Sequence, residues 1–347
     1  MRFNYLSKWG LTMYNEFDKE LRFLNENKYK CVMINTTAKH AKAFSILPRR
    51  IYGDYNISSF MINNVDILKK AITYYDGLID YFFIDVELKQ SINLYEQSKK
   101  NIKYSELITI KTNDNTIESL DLLVREKFND DLIDKNILVI GSGNIASKTM
   151  IRFAERQSNI FVLSRNVRKT TRILKGINEI LPKYNKKIQL FNKNILTQFD
   201  LVISAISTEF TKSDLIKKNI NENTMFIDVG VNNFNEKFMK QLINNRNDIL
   251  RLDTRIALPY QTMTKDKYVT DFFDKVMGKK DIEQSLIVAG GIIPEEGVII
   301  VDKINNPTQI IGIADGRGGV KQVETSVEKE RVYKLKNEIS KKNQADV

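Results

Sequence analysis

Apolar residues recur along the chain in two patterns, short continuous runs and longer stretches that carry one apolar face. Runs of strand length cover residues 30–35, 81–86 and 107–112. Between these runs, residues 64–75 and 116–128 repeat apolar positions every three to four residues, which is the spacing of a helix with one buried face. Strands that alternate with such helices predict an α/β fold with a mixed or parallel sheet in the N-terminal third.

From residue 135 onward the alternation of strands and helices becomes regular. Strands are predicted at 136–140, 160–163, 187–191, 201–204 and 225–229, and helices at 145–156 and 167–180. This order predicts a doubly wound parallel sheet that ends near residue 252. Farther on, two apolar runs within residues 285–301 surround glycine turn signals and predict a β-hairpin. The charged tail from about residue 334 to 347 is predicted to be disordered.

Composition narrows the classes of partner. The 347 residues include 54 Lys and Arg against 43 Asp and Glu, a net charge of +11. No basic run is interleaved with aromatic residues, so nucleic acid is not the expected partner despite the charge. The single cysteine, Cys31, and the single histidine, His40, exclude a disulfide framework and a Cys or His metal site, so no bound metal is expected. No signal-like start and no long apolar run is present, which predicts a cytoplasmic protein without a membrane segment.

A glycine motif follows the first strand of the doubly wound unit. Gly141 would form the tight turn, Gly143 would let the backbone approach a pyrophosphate, and the small Ala146 would let helix and strand pack. The helix that begins here offers free N–H groups to phosphates. The motif therefore predicts a Rossmann dinucleotide site that consists of Gly141, Ser142, Gly143, Asn144, Ile145 and Ala146.

The end of the next strand favours NADP over NAD. A site selective for NAD usually has an acidic residue at this point, which binds the ribose hydroxyls. The chain instead places Ser164, Arg165 and Asn166 at this point, with Arg168 and Lys169 close behind, and these cations could bind a 2′-phosphate. The segments after the fourth and fifth predicted strands, 201–204 and 225–229, are rich in small residues and would leave room for the ribose and nicotinamide; their candidate cofactor residues are Ala205, Ile206, Ser207 and Gly230.

Several motifs in order resemble the shikimate dehydrogenase family across about residues 30 to 275. The family's S-P-x-x-H-N-x-x-F segment resembles residues 36–44, and its N-V-T-x-P-x-K segment is similar to residues 83–89. Its N-T-D looks like residues 112–114, and its D-G-x-x-M-L-x-x-Q resembles residues 253–261. The resemblance implies two α/β domains that bind a nicotinamide cofactor and a small substrate in the cleft between them.

By this resemblance Lys89 and Asp114 would be the catalytic pair, Thr36 would stand where a hydroxyl contacts the substrate carboxylate, and Gln261 would reach the substrate from a returning helix. A lysine beside a carboxylate can hold a substrate hydroxyl and relay its proton as hydride leaves carbon. The sequence departs from the family where Asp85 replaces a threonine, and an Asp85 that faces the substrate would favour an amine or a hydroxyl over a carboxylate. His40 is expected to pack at the start of a helix.

These observations predict three regions. Residues 1–113 would form a substrate-binding and catalytic α/β domain, residues 114–252 the NAD(P)-binding domain, and residues 253–347 a return helix, the hairpin extension and the charged tail. The expected activity is NADP-dependent hydride transfer to or from a small polar hydroxylated or amino-bearing molecule. The alternatives are an enzyme that resembles methylenetetrahydrofolate dehydrogenase and a non-catalytic Rossmann sensor or scaffold. An exposed apolar hairpin would also allow a homodimer.

Overall fold

A computed structural model describes residues 8–37, 42–282, 284–323 and 325–345. The chain divides into two units, Met1–Gln261 and Thr262–Val347. The first unit contains two of the three sheets and the second unit contains the third. The predicted helix start at His40 lies outside the described residues.

The first sheet has five strands in the order β2-β3-β1-β4-β5, and all neighbouring pairs are parallel except β2 with β3. The predicted apolar face of α2 is buried against one side of this sheet, together with α1. Asn64 caps α2 by accepting hydrogen bonds from the N–H groups of Asp66 and Ile67. Leu258 packs on the opposite side of the sheet, which brings the neighbouring Gln261 close to it. The elements are α1 (Lys8–Leu24), β1 (Tyr29–Asn35), β2 (Phe44–Tyr52), β3 (Tyr55–Ile62), α2 (Val65–Tyr75), β4 (Tyr81–Asp85), α3 (Leu94–Asn101), β5 (Glu106–Ile110) and α4 (Thr112–Lys127).

The hairpin of β2 and β3 was not predicted from the sequence. Its two strands are joined at Gly53 and Asp54, and Gly53 has a φ of 50°. A two-residue loop with a left-handed glycine matches the right-handed twist of the flanking strands. The hairpin adds an antiparallel edge to an otherwise parallel sheet and carries Arg50 into the first unit's cavity.

The second sheet confirms the predicted doubly wound unit. Its six strands run in the order β11-β10-β9-β6-β7-β8 and all are parallel. Counted along the chain from β6, this is the Rossmann order 3-2-1-4-5-6, in which ligands bind where the strand order reverses, beside β6 and β9. The elements are β6 (Asn136–Ile140), α5 (Asn144–Glu155), β7 (Asn159–Leu163), α6 (Val167–Ile180), β8 (Gln189–Leu190), β9 (Leu201–Ser204), β10 (Met225–Asp228), α7 (Glu236–Asn244), β11 (Ile249–Arg251) and α8 (Leu258–Thr262).

The second unit corrects two predictions. The apolar runs of residues 285–301 do not pair as a hairpin, because β13 and β14 are parallel. Residues 290–298 form the crossover connection between these two strands. The antiparallel hairpins of this unit are β12 with β13 and β15 with β16. Residues 334–345 of the charged tail are helical rather than disordered, and Leu335 and Ile339 of α10 are buried on the sheet. The elements are α9 (Lys267–Asp271), β12 (Gly278–Ile282), β13 (Ser285–Ala289), β14 (Ile299–Val301), β15 (Ile310–Ala314), β16 (Val320–Lys321) and α10 (Ser326–Ala345).

Two kinds of feature are absent from the described residues. None of the helices there combines the length and the apolar character that a membrane crossing needs. The same part of the chain contains no group of three or more His, Cys, Asp and Glu side chains placed to hold a metal ion.

Candidate functional site

One cavity of about 1180 Å³ in the first unit extends from the Rossmann strand ends to the N-terminal sheet. Its Rossmann side consists of the loops that follow β6, β7, β9 and β10. Its other side contains residues from β1, β2 and the start of α4, together with Lys89 and Gln261. One cavity therefore contains most of the predicted cofactor residues together with three of the predicted substrate residues, Thr36, Lys89 and Gln261.

The glycine loop after β6 has the geometry that a pyrophosphate site requires. Gly141 has a φ of 128°, and a Cβ there would lie 2.6 Å from the carbonyl oxygen of Ala205. A Cβ on Gly143 would meet no atom within 4 Å, so the backbone at Gly143 borders open space. No side chain caps α5 at Gly143 in the described structure, which leaves its first N–H groups free for an anion. Ala146 is fully buried in the core beneath the loop and does not line the cavity.

Basic and polar residues line the cavity beyond β7. Ser164, Arg165, Asn166 and Lys169 border it, whereas Arg168 does not, so the structure corrects the prediction that Arg168 takes part. Asn166 caps α6 by accepting a hydrogen bond from the N–H of Lys169. Among the described residues that line the cavity, Glu209 is the one acidic residue. It follows β9 rather than β7.

The loops after β9 and β10 close around the middle of the cavity. Ala205, Ile206, Ser207 and Gly230 all line it, as predicted. A Cβ on Gly230 would collide with the Oδ1 atom of Asn233. Asn233 is fully buried, and its Nδ2 donates to the carbonyl of Thr208 at 3.3 Å, which ties the two loops together. The close approach of the Asn233 side chain within the loop after β10 explains why a residue without a side chain stands at position 230.

Lys89 reaches the cavity from a buried cluster of charged side chains. Its Nζ lies 2.7 Å from Oδ2 of Asp85 and 3.0 Å from Oε2 of Glu87, and it also donates to the hydroxyl of Thr112. The Lys89 side chain is 10% exposed, that of Asp85 is 0% and that of Glu87 is 15%. Asp85 thus faces Lys89 and does not line the cavity, which corrects the expectation that it faces a substrate.

Asp114 does not pair with Lys89. The strand that was predicted to end at Thr112 ends at Ile110, so Asp114 falls in the first turn of α4, where its ion pairs are with Lys111 and Lys148. Burial favours a higher pKa for the Asp114 carboxyl, but hydrogen bonds from Lys111 and Lys148 outweigh it and hold the pKa below its usual value. Asp114 also lies outside the cavity lining. The predicted pair is replaced in the structure by Lys89 with Asp85 and Glu87.

Three buried side chains of the N-terminal side carry polar atoms without a hydrogen-bond partner in the described structure. They are Oγ1 of Thr36, Oδ1 of Asn115 and Oε1 of Gln261, and each residue is at most 7% exposed. All three residues line the cavity. Unsatisfied buried polar atoms are costly, so such a group at a cavity wall indicates a place for a polar ligand. Thr36 and Gln261 were predicted and Asn115 was not, although it stands one residue beyond the matched motif.

Arg50 is a second lining residue that the sequence did not reveal. It is one of 54 basic residues and belongs to none of the matched motifs, so no sequence signal distinguishes it. Burial in the cavity wall lowers the pKa of its guanidinium, while the nearby Asp253 opposes that shift. A guanidinium stays charged under these conditions.

A comparison with protein families finds one match. The Shikimate / quinate 5-dehydrogenase family model matches residues 122–246, which span the end of α4, the Rossmann strands β6 to β10 and α7. Residues 122–246 are therefore similar to the shikimate dehydrogenase family, in agreement with the resemblance found in the sequence. At the level of this family the match supports an NAD(P)-dependent oxidoreductase. No curated protein shows significant sequence similarity to the chain.

The solved structures that match this chain have low sequence identity and low TM-scores. A shikimate dehydrogenase in complex with NADP+ is 15% identical, with 68% of this chain and 90% of that chain covered and a TM-score of 0.43. Shikimate dehydrogenase from Aquifex aeolicus is 14% identical, with 69% and 95% covered and a TM-score of 0.42. Ornithine carbamoyltransferase from Pyrococcus furiosus is 10% identical, with 73% and 89% covered and a TM-score of 0.41. Since a carbamoyltransferase scores like a dehydrogenase, these similarities do not distinguish between activities.

Proposed function

We propose that the protein is an NADP-dependent oxidoreductase that transfers hydride between the nicotinamide and a small polar substrate bearing a hydroxyl or an amino group. The observation that carries the proposal is one cavity that is lined both by the glycine loop of the region similar to shikimate dehydrogenases and by Lys89 and three buried polar atoms without a hydrogen-bond partner among the described residues. A cofactor on the Rossmann side and a substrate on the other would thus share one cavity.

The residues present fit an NADP molecule. The open space at Gly143 and the uncapped start of α5 suit a pyrophosphate. Arg165 and Lys169 would bind a 2′-phosphate through charge-assisted hydrogen bonds. No acidic side chain in the described lining stands after β7 to prefer a free ribose hydroxyl.

Lys89 is the residue that would handle the reacting oxygen. When bound, the nicotinamide supplies or accepts the hydride at the substrate carbon. The three contacts of Nζ use all three donors of an ammonium, so a substrate oxygen must replace one of them. Glu87 is the more exposed of the two carboxylates, and we expect its contact to be exchanged. Nζ would then hold the oxygen and move a proton there, while Asp85 keeps the side chain in place.

Titration with NADPH and NADH, followed by nicotinamide fluorescence, tests the cofactor. We expect tighter binding of NADPH, and we expect Arg165→Gln to weaken NADPH about tenfold while NADH changes little, since one charge-assisted contact is lost. Arg168→Gln is the matched control, because Arg168 lies on the same helix start but outside the cavity lining. Equal affinity for both cofactors, or equal effects of both variants, would contradict the NADP assignment.

Turnover tests the role of Lys89. Substitution of Lys89→Met removes the proton-handling group, so we expect a drop in kcat of at least about a hundredfold with the NADPH affinity unchanged. The assay screens hydroxy acids, polyols and amino acids with NADP+ and the corresponding ketones with NADPH. A variant that keeps its turnover would remove Lys89 from the mechanism. Cofactor binding without any turnover in the unmodified protein would instead favour a sensor.

A further inference from the structure

The substrate side of the cavity contains a cation that has no carboxylate partner among the described residues. The Arg50 guanidinium donates to Oγ1 of Thr254 at 3.2 Å and contacts Sδ of Met33 at 4.0 Å. Its neighbour Arg49, by contrast, is paired with Glu20 through Nε at 3.1 Å. Asp253, which lies near Arg50, is already bound by Nε of Arg255 at 2.8 Å. A half-buried cation with only weak partners gains free energy from an anion that enters the cavity.

Asn115 presents an acceptor beside this cation. Its Nδ2 donates to the carbonyl oxygen of Thr254 at 3.1 Å, which fixes the orientation of the amide. Its Oδ1 is therefore the free end, and it is buried without a partner in the part of the chain that the structure describes. Because Arg50 and Asn115 both contact Thr254, one through the hydroxyl and the other through the carbonyl, the cation and the acceptor stand next to each other on the cavity wall.

The charges around Lys89 limit which anion fits. Asp85 and Glu87 contribute two negative charges against the single positive charge of Lys89, so this cluster is negative overall. In the same cavity this cluster would repel a doubly charged phosphate more strongly than a singly charged carboxylate, and one planar carboxylate matches the fork of a single guanidinium. A hydroxyl or ammonium on the same molecule would satisfy Oδ1 of Asn115.

We propose that Arg50 is a specificity-determining residue that binds a carboxylate of the substrate, and that Asn115 accepts a hydrogen bond from a neighbouring hydroxyl or ammonium group. The substrate class is thus a hydroxy acid or amino acid anchored by an arginine of the added β2 strand. The inference rests on the proposed function, because it takes the same cavity as the substrate site.

Matched pairs of small molecules test the carboxylate. The probes are quinate with its neutral methyl ester, glycerate with glycerol, and glycerol 3-phosphate, titrated into the full chain and followed by ligand-detected NMR. We expect each acid to bind at least about tenfold more tightly than its neutral partner, which is the scale of one charge-assisted hydrogen bond. Arg50→Gln should abolish this preference, and Arg50→Lys should keep part of it. Arg49→Gln is the matched control, since Arg49 neighbours Arg50 but lies outside the cavity lining.

Binding of NADPH to the same variants separates this inference from the proposed function. Arg50→Gln should leave NADPH affinity unchanged, because Arg50 comes from the N-terminal sheet. Acids that bind no better than neutral partners, a preference that survives Arg50→Gln, or a preference for glycerol 3-phosphate would each overturn the role of Arg50 while the cofactor proposal stands. Absence of nicotinamide binding together with an acid preference that depends on Arg50 would overturn the proposed function and leave the carboxylate site.

Discussion

At the residue scale, the two glycines of the loop after β6 have different surroundings. Gly141 is needed for the fold, because its φ of 128° and its approach to the Ala205 carbonyl exclude a side chain. Gly143 faces open space and has an ordinary φ, so a methyl group there strains nothing in the protein. The space at Gly143 is therefore of use only to a bound molecule.

This difference yields a prediction. Gly141→Ala should lower the free energy of unfolding by about 2 kcal/mol or more, because a strained backbone and a clash with backbone atoms are combined. Gly143→Ala should leave the melting temperature unchanged and weaken NADPH binding, since the methyl group occupies the place of a phosphate. Thermal unfolding and fluorescence titration of both variants check this. A Gly143→Ala protein that binds NADPH normally would show that the pyrophosphate does not lie at this loop.

Some residues of the candidate site could be predicted from the sequence and others could not. The glycine loop and Arg165 were predictable because a nucleotide site depends on local order, with a turn, a helix start and a strand end close together in sequence. Arg50 and Asn115 were not, because they meet only through Thr254, which is 204 residues beyond Arg50 and 139 beyond Asn115. The contacts of Lys89 with Asp85 and Glu87 are local, yet a family motif that lacks those carboxylates gave no reason to expect them.

At the element scale, helices were predicted well where their buried face has a clear period. The buried residues of α2 and the buried Ile117, Leu120 and Val124 of α4 are those that the spacing indicated. Strands were less predictable, because β2 and β3 carry polar and apolar residues in no simple alternation. The parallel pairing of β13 and β14 could not be read from their apolar runs, since pairing direction depends on the connection and not on the strands themselves.

Helix α4 is held to α5 by ion pairs that connect the cavity wall to the Rossmann core. Arg156, which directly follows α5, donates to both carboxylate oxygens of Asp121, from Nε at 2.6 Å and from Nη2 at 2.7 Å. The Asp121 side chain is only 4% exposed. Removing one partner of a largely buried pair leaves a charge without compensation, so we expect Asp121→Asn to cost about 2–4 kcal/mol of unfolding free energy. Chemical denaturation measures this cost.

The chain supplies a control for this pair. Arg125 and Asp130 form a similar contact, with Nε 2.6 Å from Oδ1, but both side chains are exposed. Asp130→Asn should cost less than about 1 kcal/mol, because water screens an exposed pair. Asn also tolerates the left-handed backbone at this position, where φ is 60°. Equal costs for the two substitutions would mean that burial does not determine the strength of the α4–α5 contact.

At the scale of the whole molecule, every residue that lines the cavity lies in the first of the two units. The second unit has a core of its own in which Ile287, Ile299 and Ile313 of its sheet pack with Leu335 and Ile339 of α10. The proposed chemistry therefore needs nothing from the second unit. We expect a fragment that ends at Lys265, and so keeps all of α8, to fold and to bind NADPH as tightly as the full chain does.

Circular dichroism and the same fluorescence titration check the fragment, and Arg165→Gln within it should weaken NADPH by the same factor as in the full chain. That agreement would show that the first unit contains the complete cofactor site, because an additive effect means that the second unit does not couple to it. A folded fragment that has lost NADPH affinity would give the second unit a part in forming the site. The predicted cofactor residues would then be necessary but not sufficient.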